Sequence, residues 1–361
     1  MVVALACLAG GGAGPAAAAG GWTWDLPAGF PTPRVPAANP MTPAKVSLGR
    51  FLFYDTRLSG NGRQSCASCH RQELAFTDGL ARSVGSTGEI HPRSALSLAN
   101  VAYNATLTWA NPSLVSLEKQ MEVPLFGERP IEMGLNDRNM ATVLRRLSRD
   151  PRYTRMFAAA FPGRRKPIAL GNVIKAISAF QRTIISGDSR YDRSLTGDAR
   201  LTASETRGKN LFFGERAECS HCHTSFNLND QTVYAGKRVV DTPFHNTGLF
   251  NIGGTGDFPA PNRGVFDLTG RAEDMGAFRA PTLRNVAVTA PYMHDGSIAT
   301  LKAVVAFYAA GGRVIASGPE AGDGRLNPHR STPVDNITLG PRERADLVAF
   351  GKAFIGMPDL T

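Results

Sequence analysis

Charge is scarce in this 361-residue chain: Asp, Glu, Lys and Arg make up 19% of it, against roughly a quarter in an average globular protein. Aromatic residues are also few, at 8%. Neither shortage implies disorder, because 42% hydrophobic residues suffice to build packed cores. Beyond residue 20 no uncharged apolar run approaches the roughly 18 residues a spanning helix needs, so the mature chain is not expected to cross a membrane. Long basic runs are missing too. The net charge is +10, yet the longest basic cluster is Arg164-Arg165-Lys166, which argues against a nucleic-acid binder. An acidic protein partner, or simple solubility, accounts for the excess. No stretch sustains period-2 alternation with β-branched residues, so few strands are expected. The five cysteines supply no disulfide framework: four form the pairs Cys66/Cys69 and Cys219/Cys222, leaving only Cys7.

Residues 1–20 carry no charge, an apolar run from Val2 to Leu8 and a small-residue stretch from Ala16 to Ala19. This reads as a signal peptide cleaved near Ala19, with Cys7 in its apolar part and the usual basic start missing. A Pro-rich arm follows over 21–45, with prolines at 27, 31, 33, 36, 40 and 43, expected to lie extended across the surface. The run Leu48-Gly49-Arg50-Phe51-Leu52-Phe53-Tyr54-Asp55 leads into Cys66-Ala67-Ser68-Cys69-His70. One domain length later, Arg207-Gly208-Lys209-Asn210-Leu211-Phe212-Phe213-Gly214 leads into Cys219-Ser220-His221-Cys222-His223. Two domains are therefore expected, 46–200 and 201–361, joined near residues 165–200. Val173, Ile174, Ile177, Phe180 and Ile184 mark one helical face; Leu301, Val304, Val305 and Tyr308 mark another, stopped by Gly311-Gly312. The Gly-, Asn- and Pro-rich span Phe226 to Arg279 is expected to be a long loop, and Pro341 to Gly356 a C-terminal helix that packs back.

Cys-x-x-Cys-His assigns a chemical task to each position. Two thiols add across the haem vinyl groups, and the adjacent histidine is held on the proximal side of the iron. A zinc site would need both pairs to converge, and a redox CxxC does not need the histidine. Two covalent haems are expected, on Cys66, Cys69 and His70 and on Cys219, Cys222 and His223. The fold class is then mainly α, two cytochrome c-like haem domains with long loops. His221 is read as exposed. Occupancy of the other axial position decides between catalysis and electron transfer, and His91, His245, His294, His329, methionines and core-facing tyrosines are the candidates.

Phe278-Arg279-Ala280-Pro281-Thr282-Leu283-Arg284-Asn285-Val286, followed by Thr289-Ala290-Pro291-Tyr292-Met293-His294-Asp295-Gly296, resembles the signature of bacterial dihaem cytochrome c peroxidases and MauG-type enzymes. With both CxxCH motifs and the lead-in above, the resemblance spans essentially the whole mature chain. It implies a periplasmic enzyme that uses hydrogen peroxide to form high-valent iron. Conventional peroxidases of the family ligate the second haem by a methionine where this chain has Tyr308; MauG-type members resemble it in having tyrosine, a strongly donating ligand. The position of the histidine that blocks the first haem in conventional members corresponds to Ser86, which implies an open iron on His70. A displaced loop bringing His91 to that iron is the alternative. Carried over, Gln120 and Pro124 line the peroxide pocket and Glu132 is the acid/base, with Glu122 or Glu128 as alternatives because of the insertion Phe126 to Pro130. Trp109 resembles the tryptophan between the haems, and Ser94, Thr289 and Pro291 fall on the family's calcium-site positions. The opening Trp22 to Pro31 and the Trp109 segment look like the branch that accompanies small periplasmic copper-associated proteins. That likeness implies oxidation of a protein partner's tryptophan, possibly to kynurenine. A plain peroxidase fed by a small redox protein and a dihaem electron carrier are the competing readings.

Overall fold

The structure is a computed structural model that describes residues 21–334 and 337–356; the expected signal peptide, with Cys7, lies outside them. Helix Pro43–Tyr54 opens where Thr42 accepts a hydrogen bond from the Lys45 N–H and proline sits in the first turn. It therefore begins inside the span assigned to the arm. It crosses helix Leu170–Gln181, whose buried face is the predicted Val173, Ile174, Ile177 and Phe180. The contact is close because Gly49 faces the partner backbone: a Cβ there would lie 1.9 Å from the Ala176 carbonyl oxygen.

The second half repeats the device. Helix Ala203–Phe212 crosses helix Pro341–Lys352, and a Cβ on Gly208 would lie 2.0 Å from the Asp346 oxygen. Phe180 and Phe350 lie four residues beyond the contacted carbonyls, against their glycines, in the two crossings. A left-handed asparagine is also duplicated, Asn100 at φ +58° and Asn285 at φ +62°. Asn100 Nδ2–H donates to the Ser186 carbonyl at 2.9 Å, and Asn100 Oδ1 accepts from the Ser186 N–H at 2.7 Å. Asn285 Nδ2–H donates to Ser186 Oγ at 2.9 Å. Both asparagines thus converge on one residue of the connection.

Leu48, Leu52, Phe53, Phe157, Val173 and Ile177 centre the first core; Phe212, Leu347, Phe350 and Phe354 centre the second. Helix Leu301–Ala309 ends before Gly311 and Gly312, both at positive φ. Residues 226–279 hold only the short helix Phe266–Thr269 and a 3-10 turn Ala272–Asp274, so this span is the long loop expected. Among the described residues sheet is confined to two-residue strands, Val314–Ile315 paired antiparallel with Gly322–Asp323. Among the described residues no helix is long and apolar enough to cross a membrane.

The arm is extended but is not merely superficial. Phe30 packs edge-on against Tyr103 and Phe226, at 6.0 and 4.9 Å between ring centroids. The Arg284 guanidinium covers the same ring at 5.0 Å. Tyr103 Oη–H donates to the Pro31 carbonyl at 2.7 Å and the Ala235 N–H to Thr32 at 2.9 Å, so the arm joins residues from both repeats.

Candidate haem sites

Each CxxCH forms one helical turn, Cys66–Cys69 and Cys219–Cys222, with the histidine at its C-cap. His70 Nδ1–H donates to the Phe76 carbonyl at 2.8 Å and His223 Nδ1–H to Leu228 at 3.2 Å. Phe76 and Leu228 both take positive φ, which turns those carbonyls onto the rings. Each bond fixes the tautomer that leaves Nε2 free to ligate iron. Burial holds both imidazoles below the usual histidine range, in the neutral form a metal requires. Burial also pushes the Cys66 and Cys219 thiols up to about 12 and Cys69 to about 11, far from the depressed values of a reactive CxxC. The two pairs do not meet. Among the described residues the one group of metal-competent side chains is Cys222, Asp230 and His245, so a zinc site shared by both pairs is excluded.

Cys219, Cys222, His223 and Tyr308 line one cavity whose walls are mainly apolar side chains. Two polar atoms at this cavity are buried without a partner, Arg279 Nη1 and His294 Nε2. Burial lowers Arg279 to about 10, leaving it a cation at neutral pH with no counter-charge in contact. A large flat apolar group bearing carboxylates matches this donor set, so the residues fit a haem with its propionates. His294 stacks on Phe278 at 3.7 Å, and burial pushes it down to about 3. Tyr308, on helix Leu301–Ala309, is turned inward as its periodicity predicted, and burial lifts its phenol above the usual range.

On the His70 side, the loop around Ser86 and the segment around Glu132 are tied together by backbone. Ser86 N–H donates to the Glu132 carbonyl at 2.9 Å, and Asn61 Nδ2–H to the Ser86 carbonyl at 2.7 Å. His91 Nε2 lies 3.2 Å from Glu132 Oε1. Glu132 is one of the charges acting on His70, Cys66 and Cys69. Pro124 is brought beside it, since Met133 N–H donates to the Pro124 carbonyl at 2.9 Å. Gln120 stands one helical turn before Pro124 and, like it, is half-buried. The alternatives point elsewhere: Glu122 pairs with Lys119 at 2.5 Å and Glu128 is exposed.

Trp109 also lines the cavity, donating Nε1–H to the Ser94 carbonyl at 2.9 Å and meeting His294 edge-on at 6.5 Å. Ser94 donates N–H to His294 at 2.9 Å and Oγ–H to Met293 at 3.0 Å, reaching the segment that carries Thr289 and Pro291. His245 pairs with Asp230 at 2.5 Å, which outweighs its burial and raises it to about 10. His329 lies beside Gly256, and His221 is exposed as expected. The His91–Glu132 and His245–Asp230 pairs had no signal in the sequence, because neither spacing is that of a recognised ligand motif.

Two half-buried CxxCH turns that present their histidines alike define a c-type haem protein. The di-haem cytochrome c peroxidase profile matches residues 43–200. The methylamine utilization protein MauG of Methylorubrum extorquens is 36% identical over 318 residues, covering 87% of this chain and 79% of that protein. Cytochrome-c peroxidase IdrP1 of Denitromonas iodatirespirans is 36% identical over 369 residues, covering 98% and 91%. A crystal structure of a MauG-like protein associated with microbial copper homeostasis superposes with a TM-score of 0.92 at 57% identity, covering 93% of this chain and 96% of the other. The chain belongs to the di-haem cytochrome c peroxidase/MauG family of oxidoreductases, and that family implies two haems.

Proposed function

We propose that this chain is a MauG-type oxidase of the periplasm that spends hydrogen peroxide on a side chain of a protein partner, with tryptophan as the residue and kynurenine as the product. The observation that carries this reading is Tyr308, half-buried and lining the cavity it shares with His223, at the position where conventional peroxidases have methionine. The likeness to a protein associated with copper homeostasis supports a copper-associated partner. Residues 46–200 and 201–361 would each hold one haem, the first through Cys66, Cys69 and His70, the second through Cys219, Cys222, His223 and Tyr308. Calcium at Ser94, Thr289 and Pro291 belongs to the same reading, supported by the contact of Ser94 with residues 293 and 294.

A haem held by Cys66, Cys69 and His70 would supply the redox chemistry of peroxide cleavage. The chain supplies the rest. Glu132 takes the proton from the inner peroxide oxygen and delivers it to the outer one, which departs as water. Gln120 and Pro124 confine the peroxide between them and keep bulk water out. Arg279 neutralises propionate charge. Trp109 provides a route for the oxidising equivalents between the two sites, so the partner reacts at the surface.

The relatives named cytochrome-c peroxidase are equally similar and favour a second reading, peroxide reduction with electrons from a small redox protein. Electron paramagnetic resonance with near-infrared absorption of the ferric protein separates the two. One high-spin and one low-spin haem, with no sulfur-to-iron charge-transfer band, is expected. A sulfur band selects the peroxidase, and two low-spin signals select an electron carrier.

A further inference from the structure

His91 has no role in the chemistry described so far, yet it is the side chain that meets Glu132. Its ring is oriented by the backbone: the Arg93 N–H donates to His91 Nδ1 at 3.2 Å. A nitrogen that accepts a hydrogen bond carries no proton, so the proton of the neutral ring is on Nε2. Nε2 is the atom 3.2 Å from Glu132 Oε1. The neutral ring therefore turns its protonated nitrogen, not a lone pair, toward that carboxylate, at ion-pair distance.

The pairing is not needed to hold the loop. Ser86 N–H already bonds the Glu132 carbonyl at 2.9 Å, Glu89 accepts from the Ile131 N–H at 3.0 Å, and His91 N–H bonds the Ser83 carbonyl at 2.7 Å. Gly85 lies so close that a Cβ would be 1.8 Å from the Ile131 oxygen. With the backbone of residues 83–91 and 131–132 clamped in this way, the freedom left to the His91–Glu132 contact is the rotation of the carboxylate. Both side chains are about 30% exposed, at 29% and 31%, which leaves an unheld Glu132 free to swing into water.

We infer that His91 is a positioning residue for peroxide cleavage: its Nε2, 3.2 Å from one oxygen of Glu132, draws that oxygen to itself and leaves the other for the peroxide that a haem on His70 would bind. This rests on the assignment of Glu132 as acid/base made above. It makes Arg93 N–H, His91 and Glu132 a chain in which the first member sets the tautomer, the second the rotamer and the third moves the proton.

The test is a double-mutant cycle on the holoenzyme with two probes, hydrogen peroxide and potassium cyanide. Hydrogen cyanide must lose its proton to bind ferric haem, so its association reports the same base without turnover. His91→Ala is expected to slow both associations by about 10- to 100-fold while the resting ferric spectrum is unchanged. In the Glu132→Gln background His91→Ala is expected to add nothing, because it acts only through Glu132. His91→Gln, whose amide reaches the place of Nε2, should recover most of the rate, whereas His91→Asn, which reaches only that of Nδ1, should not. That contrast carries the test if the alanine variant fails to load haem. Normal rates in His91→Ala with slow rates in Glu132→Gln overturn the inference alone, as does equal slowing by His91→Ala in both backgrounds. Normal rates in Glu132→Gln overturn the acid/base reading, and the inference with it. A low-spin wild-type signal that disappears in His91→Ala overturns it too, since His91 would then be an iron ligand.

Discussion

Glu118 stands two residues before Gln120 and shows how one ion pair contributes to the acid sensitivity of the first half. Burial alone would raise its carboxyl. Two hydrogen bonds from Arg182 at 2.8 Å and one from Asn39 at 2.7 Å outweigh that and hold it below the usual glutamate range. A folded-state value below the unfolded one stabilises the protein above the unfolded pKa, near 4.3, and the contribution is lost as pH falls through the folded value. Arg182 is 3% exposed, so Glu118→Gln strands a buried cation and should cost about 3 kcal/mol at neutral pH. Urea denaturation of both proteins at pH 7 and pH 3 should show that difference shrinking in acid; a constant difference would mean that Glu118 contributes by packing alone.

The two crossed-helix pairs explain why glycine recurs in both lead-in motifs. Gly49 and Gly208 set how near the helix backbones approach, and a methyl group at either would overlap a carbonyl oxygen at about 2 Å. Gly49→Ala and Gly208→Ala should each destabilise by about 1–3 kcal/mol through forced separation of the pair. Thermal melts read by far-ultraviolet dichroism and haem absorbance should register the loss. Retention of wild-type stability would mean that these helices slide apart freely. The repeated LGR and RGK runs were visible as motifs, but their meaning was not. Periodicity reports which face of a helix is apolar, and it does not report which atom of the neighbouring backbone that face meets.

At the scale of the molecule, residues of both repeats meet around Trp109. Its indole N–H bonds Ser94, its carbonyl accepts from the Arg279 N–H at 2.8 Å, and its ring faces His294. Arg284, 2% exposed, joins Asp192 of the connection at 2.5 Å and covers Phe30 of the arm. A framework tied at these points holds its groups at fixed separation, as the proposed transfer of oxidising equivalents would require. Trp109→Phe should leave peroxide association at the His70 haem intact yet strongly slow modification of the partner. Rapid-freeze Mössbauer spectra together with partner turnover would check it. Oxidation of both irons in the variant, with partner turnover at the wild-type rate, would return Trp109 to a packing role.

From the sequence by itself came the two CxxCH motifs, the inward turn of Tyr308, the mainly helical class and the family. Each of these depends on residues close together in the chain, where spacing and chemistry are directly legible. Tertiary structure alone decided that Glu132 and not Glu122 or Glu128 meets His91, and that Arg279 holds an unpaired Nη1 at the cavity that His223 lines. It also decided that the Pro-rich arm packs a half-buried Phe30 against residues of both repeats. Those pairings join segments far apart in sequence. They are selected by close packing and by the requirement that buried polar groups find partners, and neither constraint leaves a local pattern.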